Sequence, residues 1–219
     1  MQDYAAARRT MVDCQVRTFD VTDLSVIAAF DVTPREIYAP AGREAMAYAD
    51  VAIPLDGAPG RVMLPPLVLA RMLQSFGPLD GLKVLEIGAG TGYGSALLAR
   101  LGAKVTALES DDGLAAAAKI NLERDGVAGV QVVTGALANG YAANAPYDAI
   151  LLNGGYEVLP DALLQQLADG GALVAIEVSG AASRIVIQRR ASGVNSRAVI
   201  VNAWAPVLDG FARKPEFTF

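Results

Sequence analysis

The stretch KVLEIGAGTGYG, Lys83 to Gly94, decides how the rest of the chain is read. Its apolar run Val84, Leu85, Ile87 is short and closed by glycines, which predicts a buried strand feeding a tight turn. From Thr91 the sequence TGYGSALLARL returns to helical spacing, so the unit is strand, glycine turn, helix. Glycines at Gly88, Gly90, Gly92 and Gly94 permit positive φ and let a ligand approach main-chain atoms. The helix that follows offers unpaired N–H groups at its start, and a nucleotide-like ligand is the natural occupant.

Spacing narrows the ligand. A dinucleotide fingerprint needs a third glycine or alanine three residues after the second, and that place is Tyr93. Glu86 ends the strand, where a carboxylate would repel a diphosphate but suits a ligand carrying an ammonium group, as S-adenosyl-L-methionine does. The next strand, VTALES, ends in Glu109, 21 residues after Gly88, placed to accept both ribose hydroxyls. The expected cofactor contacts are therefore Glu86, Gly88, Ala89, Gly90, Thr91, Gly92 and Tyr93, with Glu109 and Ser110 from the second strand end.

Length reads as one domain with a small appendage, and the composition excludes several chemistries. The chain has 219 residues, 53% hydrophobic, enough for a sizeable core. With a net charge of −5 and scattered Lys and Arg it lacks the footprint of a nucleic-acid binder. A single cysteine, Cys14, rules out an internal disulfide framework, and is read as packing because no base accompanies it. No charged-then-apolar leader and no membrane-length apolar run is seen, so a cytoplasmic location is expected. There is no histidine, which removes Ser-His-Asp and Cys-His catalysis and His-ligated metals; no metal site is expected.

Taken in order, residues 3 to 17 predict a first helix, and Thr22 precedes a second, DLSVIAAF. Thr33-Pro34-Arg35-Glu36 has the form of a capping box opening a short third helix, with Arg35 and Arg17 read as helix-face charges. Residues 41 to 66 break into short extended pieces with glycine and proline, a long loop of the kind that carries function. Helical spacing resumes at LVLARMLQSF. After Glu109 strands and helices alternate: helix LAAAAKINLERDG closed by Gly126, strand VQVV, strand YDAILLN, short helix DALLQQLADGG, strand ALVAIEV. Two further strands surround the turn Ser192 to Asn195, an antiparallel hairpin. The expected fold is α/β, Rossmann-like: a seven-stranded, mostly parallel class I methyltransferase sheet with a C-terminal hairpin and an N-terminal helical extension. Residues 1–80 are expected to form the helical cap and substrate segment, and 81–219 the cofactor-binding domain.

With these residues in view, the chain resembles the protein-L-isoaspartate O-methyltransferase family over nearly its full length. DVTDLSVIAAFDVTPREIYAP is similar to that family's two short helices ending in Pro-Arg-Glu and an aromatic-x-Pro. AYADVAIPL resembles its Ala-Tyr-x-Asp segment, VLEIGAGTGYGSALLA its glycine motif, and APYDAILLNGGYEVLPDALLQQLADGGALV its later series. The resemblance implies methyl transfer from S-adenosyl-L-methionine to a protein or peptide carboxylate, a protein-repair activity. Methyl transfer to an ionised carboxylate needs alignment rather than a general base, so the absence of histidine fits.

Two departures stand out. The family pattern Gly-Gln-Thr-Ile-Ser-Gln-Pro aligns through Gly60 and Pro66, placing Val62 at the threonine and Leu64 at the serine. The acceptor-site loop is therefore Val62, Met63 and Leu64, without the hydroxyls. The family's Gly-Asp-Gly, whose aspartate faces the adenine amine, is here Gly135, Ala136 and Leu137. These departures leave open a methyltransferase with a different acceptor, or a cofactor-binding homologue without catalysis.

Overall fold

The computed structural model describes residues 3–180 and 182–214. Two short strands, β1 (Ile53–Pro54) and β2 (Val62–Met63), form a small antiparallel hairpin apart from the main sheet. The main sheet has seven strands: β3 (Lys83–Ile87), β4 (Lys104–Glu109), β5 (Val130–Thr134), β6 (Tyr147–Tyr156), β7 (Leu167–Ser179), β8 (Ala182–Ala191) and β9 (Val194–Asn202). Their order is β5-β4-β3-β6-β7-β8-β9, parallel as far as β7 and antiparallel for the last two pairings. The expected C-terminal hairpin is present. It turns on Ser192 and Gly193, both at positive φ (50° and 79°), tighter than the four-residue turn expected.

The strands β3, β4 and β6 are buried almost throughout, because both faces of a parallel sheet are covered by helices. Side chains alternate between two cores. Val84, Val105, Ala149 and Val174 point to the side that also receives the N-terminal helices α1 (Tyr4–Met11) and α2 (Leu24–Val32) and helices α3 (Pro66–Gln74) and α4 (Tyr93–Arg100). Leu85, Ile87, Ile150 and Leu173 point to the other, with Leu163 of α6 (Asp161–Gln165) and Phe211. Helix α5 (Asp112–Arg124) packs beside β4 and β5. Period-2 alternation thus puts Glu86 on the Val84 face, toward α4. Among the described residues no helix is long and apolar enough to cross a membrane.

Several local expectations are corrected. The first helix is regular only to Met11; it loosens into a π turn over Val12–Val16 and a 3-10 turn over Arg17–Phe19, and Cys14 is exposed rather than packed. Helix α2 is capped by Asp23, one residue after Thr22, through bonds from the Ser25 and Val26 N–H groups. The Thr33 capping box does not form, because the hydroxyl donates backward to the Ala29 carbonyl at 2.6 Å. Only one 3-10 turn, Arg35–Ile37, follows. Helix α6 stops at Gln165 instead of running into the glycines, since Gln166 already accepts from Tyr147 N–H and the chain enters β7.

Candidate cofactor and acceptor site

The glycine turn lies at the C-terminal end of β3, the middle of the parallel part of the sheet. Its amides point inward: Gly88 and Ala89 N–H donate to the Leu108 carbonyl at 2.9 and 3.1 Å, and Gly90 N–H to Glu109 Oε2 at 2.7 Å. A phosphate cradle would need these groups free, so the turn is not built for a diphosphate. Tyr93, in the place of the third dinucleotide glycine, is a buried ring that packs edge-on against Phe30 and tilted against Tyr38. Its burial lifts the phenol to about 12. The turn therefore anchors the N-terminal helices to the sheet, and Thr91 adds a bond from its hydroxyl to the Tyr38 carbonyl at 2.7 Å.

Glu86 is fully buried and takes hydrogen bonds from the Ser95 hydroxyl on α4 and from the Asn153 amide at 2.8 Å. A Cβ on Gly94 would collide with this carboxylate, so the glycine makes its room. Burial raises the Glu86 carboxyl to about 7, against the two neutral donors, because an unpaired charge is costly in this place. Asn153 Oδ1 is buried with no partner among the described residues. A cation bearing N–H groups is what this pair lacks.

At the neighbouring strand end Glu109 is equally buried, yet fully engaged. Arg61 grips it with both arms of the guanidinium, Nη1 to Oε1 at 2.6 Å and Nη2 to Oε2 at 2.7 Å. Ser110 and Asp111 N–H add bonds to Oε1 at 2.7 and 3.2 Å. Burial alone would raise this carboxyl; Arg61 and the backbone donors outweigh it and hold the carboxyl below its usual range.

The β1–β2 hairpin lies over the turn. Val62, Met63 and Leu64 line one small cavity together with Leu55, Gly88, Ala89, Gly90, Thr91, Tyr93, Gly94 and Asn153. That cavity is about 10 Å³, the room of a single water molecule. Arg35, read from the sequence as a helix-face charge, is instead completely buried beneath the hairpin. Its Nη2 donates to the Leu64 carbonyl at 2.7 Å, its Cζ lies 4.6 Å from the centre of the Tyr93 ring, and Nε and Nη1 have no partner. Burial lowers its pKa. Arg17 does remain at the surface, paired with Asp13. The neighbouring motif residues serve the same docking: Glu36 accepts from the Tyr48 hydroxyl, and Asp50 accepts from Leu67 N–H at 3.1 Å.

The structure thus gathers Val62, Met63, Leu64, Gly88, Ala89, Gly90, Thr91 and Tyr93 on one cavity, with Gly92 at the left-handed entrance of α4; Glu86 and Glu109 stand behind it, bonded to the lining Asn153 and Gly90, and Ser110 is bonded to Glu109. Gly135, Ala136 and Leu137 do not line that cavity. Gly135 and Ala136 are exposed past the end of β5, and Leu137 is buried in the second core. Sequence reasoning missed Arg61, Asn153 and the burial of Arg35. Arg61 carried a signal, since the aligned pattern has glutamine there; Asn153 carried none beyond its place at the end of the predicted strand YDAILLN.

A doubly wound sheet with carboxylates at the ends of two adjacent strands, around a glycine turn, defines the class I methyltransferase architecture. The profile of the protein-L-isoaspartate(D-aspartate) O-methyltransferase family matches residues 8–209, and the chain belongs to that family. It is 38% identical over 187 residues to the protein-L-isoaspartate O-methyltransferase of Methanoregula boonei, covering 84% of this chain and 85% of the relative. The enzyme of Koribacter versatilis of the same name is 38% identical over 192 residues, covering 87% and 85%. Among solved structures, a Plasmodium falciparum protein-L-isoaspartate O-methyltransferase in complex with S-adenosyl-L-homocysteine superposes with a TM-score of 0.80 at 15% identity, over 95% of this chain and 99% of that one, a likeness of fold.

Proposed function

We propose that the chain is an S-adenosyl-L-methionine-dependent methyltransferase acting on isoaspartyl carboxylates of proteins or peptides. The observation that carries this reading is membership of the isoaspartyl methyltransferase family across residues 8–209, which favours that acceptor over a different one. Glu86, and Asn153 which lines the cavity and leaves Oδ1 unpartnered among the described residues, would hold the cofactor's ammonium group. Glu109, once released by Arg61, would accept the ribose hydroxyls, with Ser110 beside it. When bound, the cofactor supplies an electrophilic methyl group on a sulfonium.

The chain's own contribution is placement. Val62, Met63 and Leu64 would face the acceptor, whose ionised oxygen needs orientation and exclusion of water rather than deprotonation. Residues 1–80 would form the cap and acceptor segment and 81–219 the cofactor-binding part. Gly135, Ala136 and Leu137 would border the adenine without a charged partner. A cytoplasmic site of action goes with this reading. Incubation with methyl-labelled S-adenosyl-L-methionine and an isoaspartyl peptide, beside the normal aspartyl peptide, tests it. Label on the first alone is the expected result; label on neither would overturn it.

A further inference from the structure

The place that the cofactor's ribose needs is already taken by a side chain of the acceptor loop. Arg61 has its backbone fixed by the β1–β2 hairpin: its N–H donates to the Ala58 carbonyl at 3.0 Å, and its carbonyl accepts from Leu55 N–H at 2.9 Å. From there the side chain spans to Glu109 and closes the bidentate pair, with Arg61 9% exposed and Glu109 0%. Arg61 Nη2 lies 3.2 Å from where a Cβ on Gly88 would project, so the guanidinium rests on the first glycine of the turn. Leu55 Cδ1 comes within 3.0 Å of the same construction on Gly90. The room that these glycines create is filled from within the chain.

An ionised carboxylate offers about four lone-pair sites. On Glu109, Oε1 takes Arg61, Ser110 and Asp111, and Oε2 takes Arg61 and Gly90, so no capacity is left for two hydroxyl donors. We infer that Arg61 competes with the cofactor for Glu109, sets the affinity of this chain for S-adenosyl-L-methionine below what its site would otherwise give, and couples cofactor binding to opening of the acceptor loop. This rests on the methyltransferase reading above. The coupling follows from chain continuity. Arg61 immediately precedes Val62, Met63 and Leu64, so a ligand that displaces its guanidinium removes a tie between the sheet and the segment that faces the acceptor. A protein whose competent form is only partly populated binds with its intrinsic affinity reduced by that fraction. A purely structural ion pair has the opposite signature, because its removal loosens the site and weakens cofactor and fold together.

The test is calorimetric titration of S-adenosyl-L-homocysteine into the wild-type chain, R61Q and R61M. Glutamine is the residue that the aligned family pattern carries here, and methionine keeps the apolar stem without charge. Both variants should bind at least about tenfold tighter than wild type, while melting at a lower temperature. Affinity unchanged or weakened in both variants overturns the competition and leaves the methyltransferase reading standing. Binding to none of the three proteins overturns both. Should the variants fail to fold, hydrogen exchange on the wild-type chain decides: saturating S-adenosyl-L-homocysteine should speed exchange of the Leu55 and Arg61 amides, and slower or unchanged exchange contradicts the inference.

Discussion

Glu86 and Glu109 end adjacent parallel strands, and both are completely buried, yet they stand in opposite electrostatic states. Glu86 is met by two neutral donors, Ser95 and Asn153, and burial prevails, raising it to about 7. Glu109 meets the same burial, but the Arg61 guanidinium and the Gly90 and Asp111 amides hold it low. Both side chains are closed off from solvent, but their unequal partners leave one carboxylate that lacks a cation and another that has its own. The difference lies in the source of the cation, which reaches Glu109 from the loop and not from the sheet.

The largest effect is expected from breaking the charged member. E109Q leaves Arg61 buried without its counterion and should lower unfolding free energy by about 3–5 kcal/mol in urea titrations. R61Q should cost less, since Glu109 keeps the Gly90, Ser110 and Asp111 donors. The sign with pH follows from the lowered carboxyl. Its stabilisation is complete above the unfolded value of about 4.3 and is lost as pH falls through the lower folded value. The gap between wild type and R61Q should therefore close in acid and stay constant at neutral pH. Equal losses for E109Q and R61Q would mean that the backbone donors do not compensate Glu109.

Leu64 comes next, because its side chain is 2% exposed within the core that joins the hairpin to the N-terminal helices. L64S should cost about 2–5 kcal/mol from lost packing. A serine there that left stability untouched would show that the hairpin is not packed as described.

The neutral member can be tested through its proton. An ammonium ligand favours ionised Glu86, so binding releases a proton and S-adenosyl-L-homocysteine affinity should rise with pH through about 7. It levels off where the ligand's own amino group begins to lose its charge. E86Q should lower affinity by about 1.5–3 kcal/mol and flatten that rise. In the unliganded fold the sign is reversed: the raised Glu86 favours folding at low pH and loses that advantage as pH climbs through about 7. A rise with pH that persists in E86Q would assign the titration elsewhere.

Most of the frame was legible because it is local or periodic. The apolar run to Ile87, the glycines after it and the second carboxylate at Glu109 sit on consecutive strands at regular spacing, and the turn at Ser192 and Gly193 announces its hairpin. The site's state was not legible, because it depends on partners far apart in sequence. Arg61 reaches Glu109 across 48 positions and Asn153 reaches Glu86 across 67. Arg35 illustrates the same limit: a charge beside a proline reads as surface, and only the packing of the hairpin over Tyr93 buries it. The Thr33 capping box failed for a local reason, since a threonine hydroxyl serves a preceding carbonyl as readily as a following amide.

The smallest expected effect asks whether the loop that Arg61 holds is also the loop that meets the acceptor. Val62 is half-buried on β2 and lines the cavity, and threonine matches its shape, so V62T should leave stability nearly unchanged while returning one hydroxyl to the place the family pattern assigns it. One such hydrogen bond is worth about 0.5–1.5 kcal/mol, or about two- to tenfold in KM for an isoaspartyl peptide. While Arg61 sits on Glu109 the hairpin is closed and the hydroxyl has no acceptor to orient. V62T alone should then barely change KM, and V62T in the R61Q background should lower it by the full factor. Steady-state kinetics on the four proteins at limiting cofactor, where Arg61 still holds Glu109 in the wild-type loop, would show this as non-additivity. The same fall in KM in both backgrounds would mean that the acceptor meets the loop whether or not Arg61 holds Glu109, and the two carboxylates would then differ in charge without differing in control of the reaction.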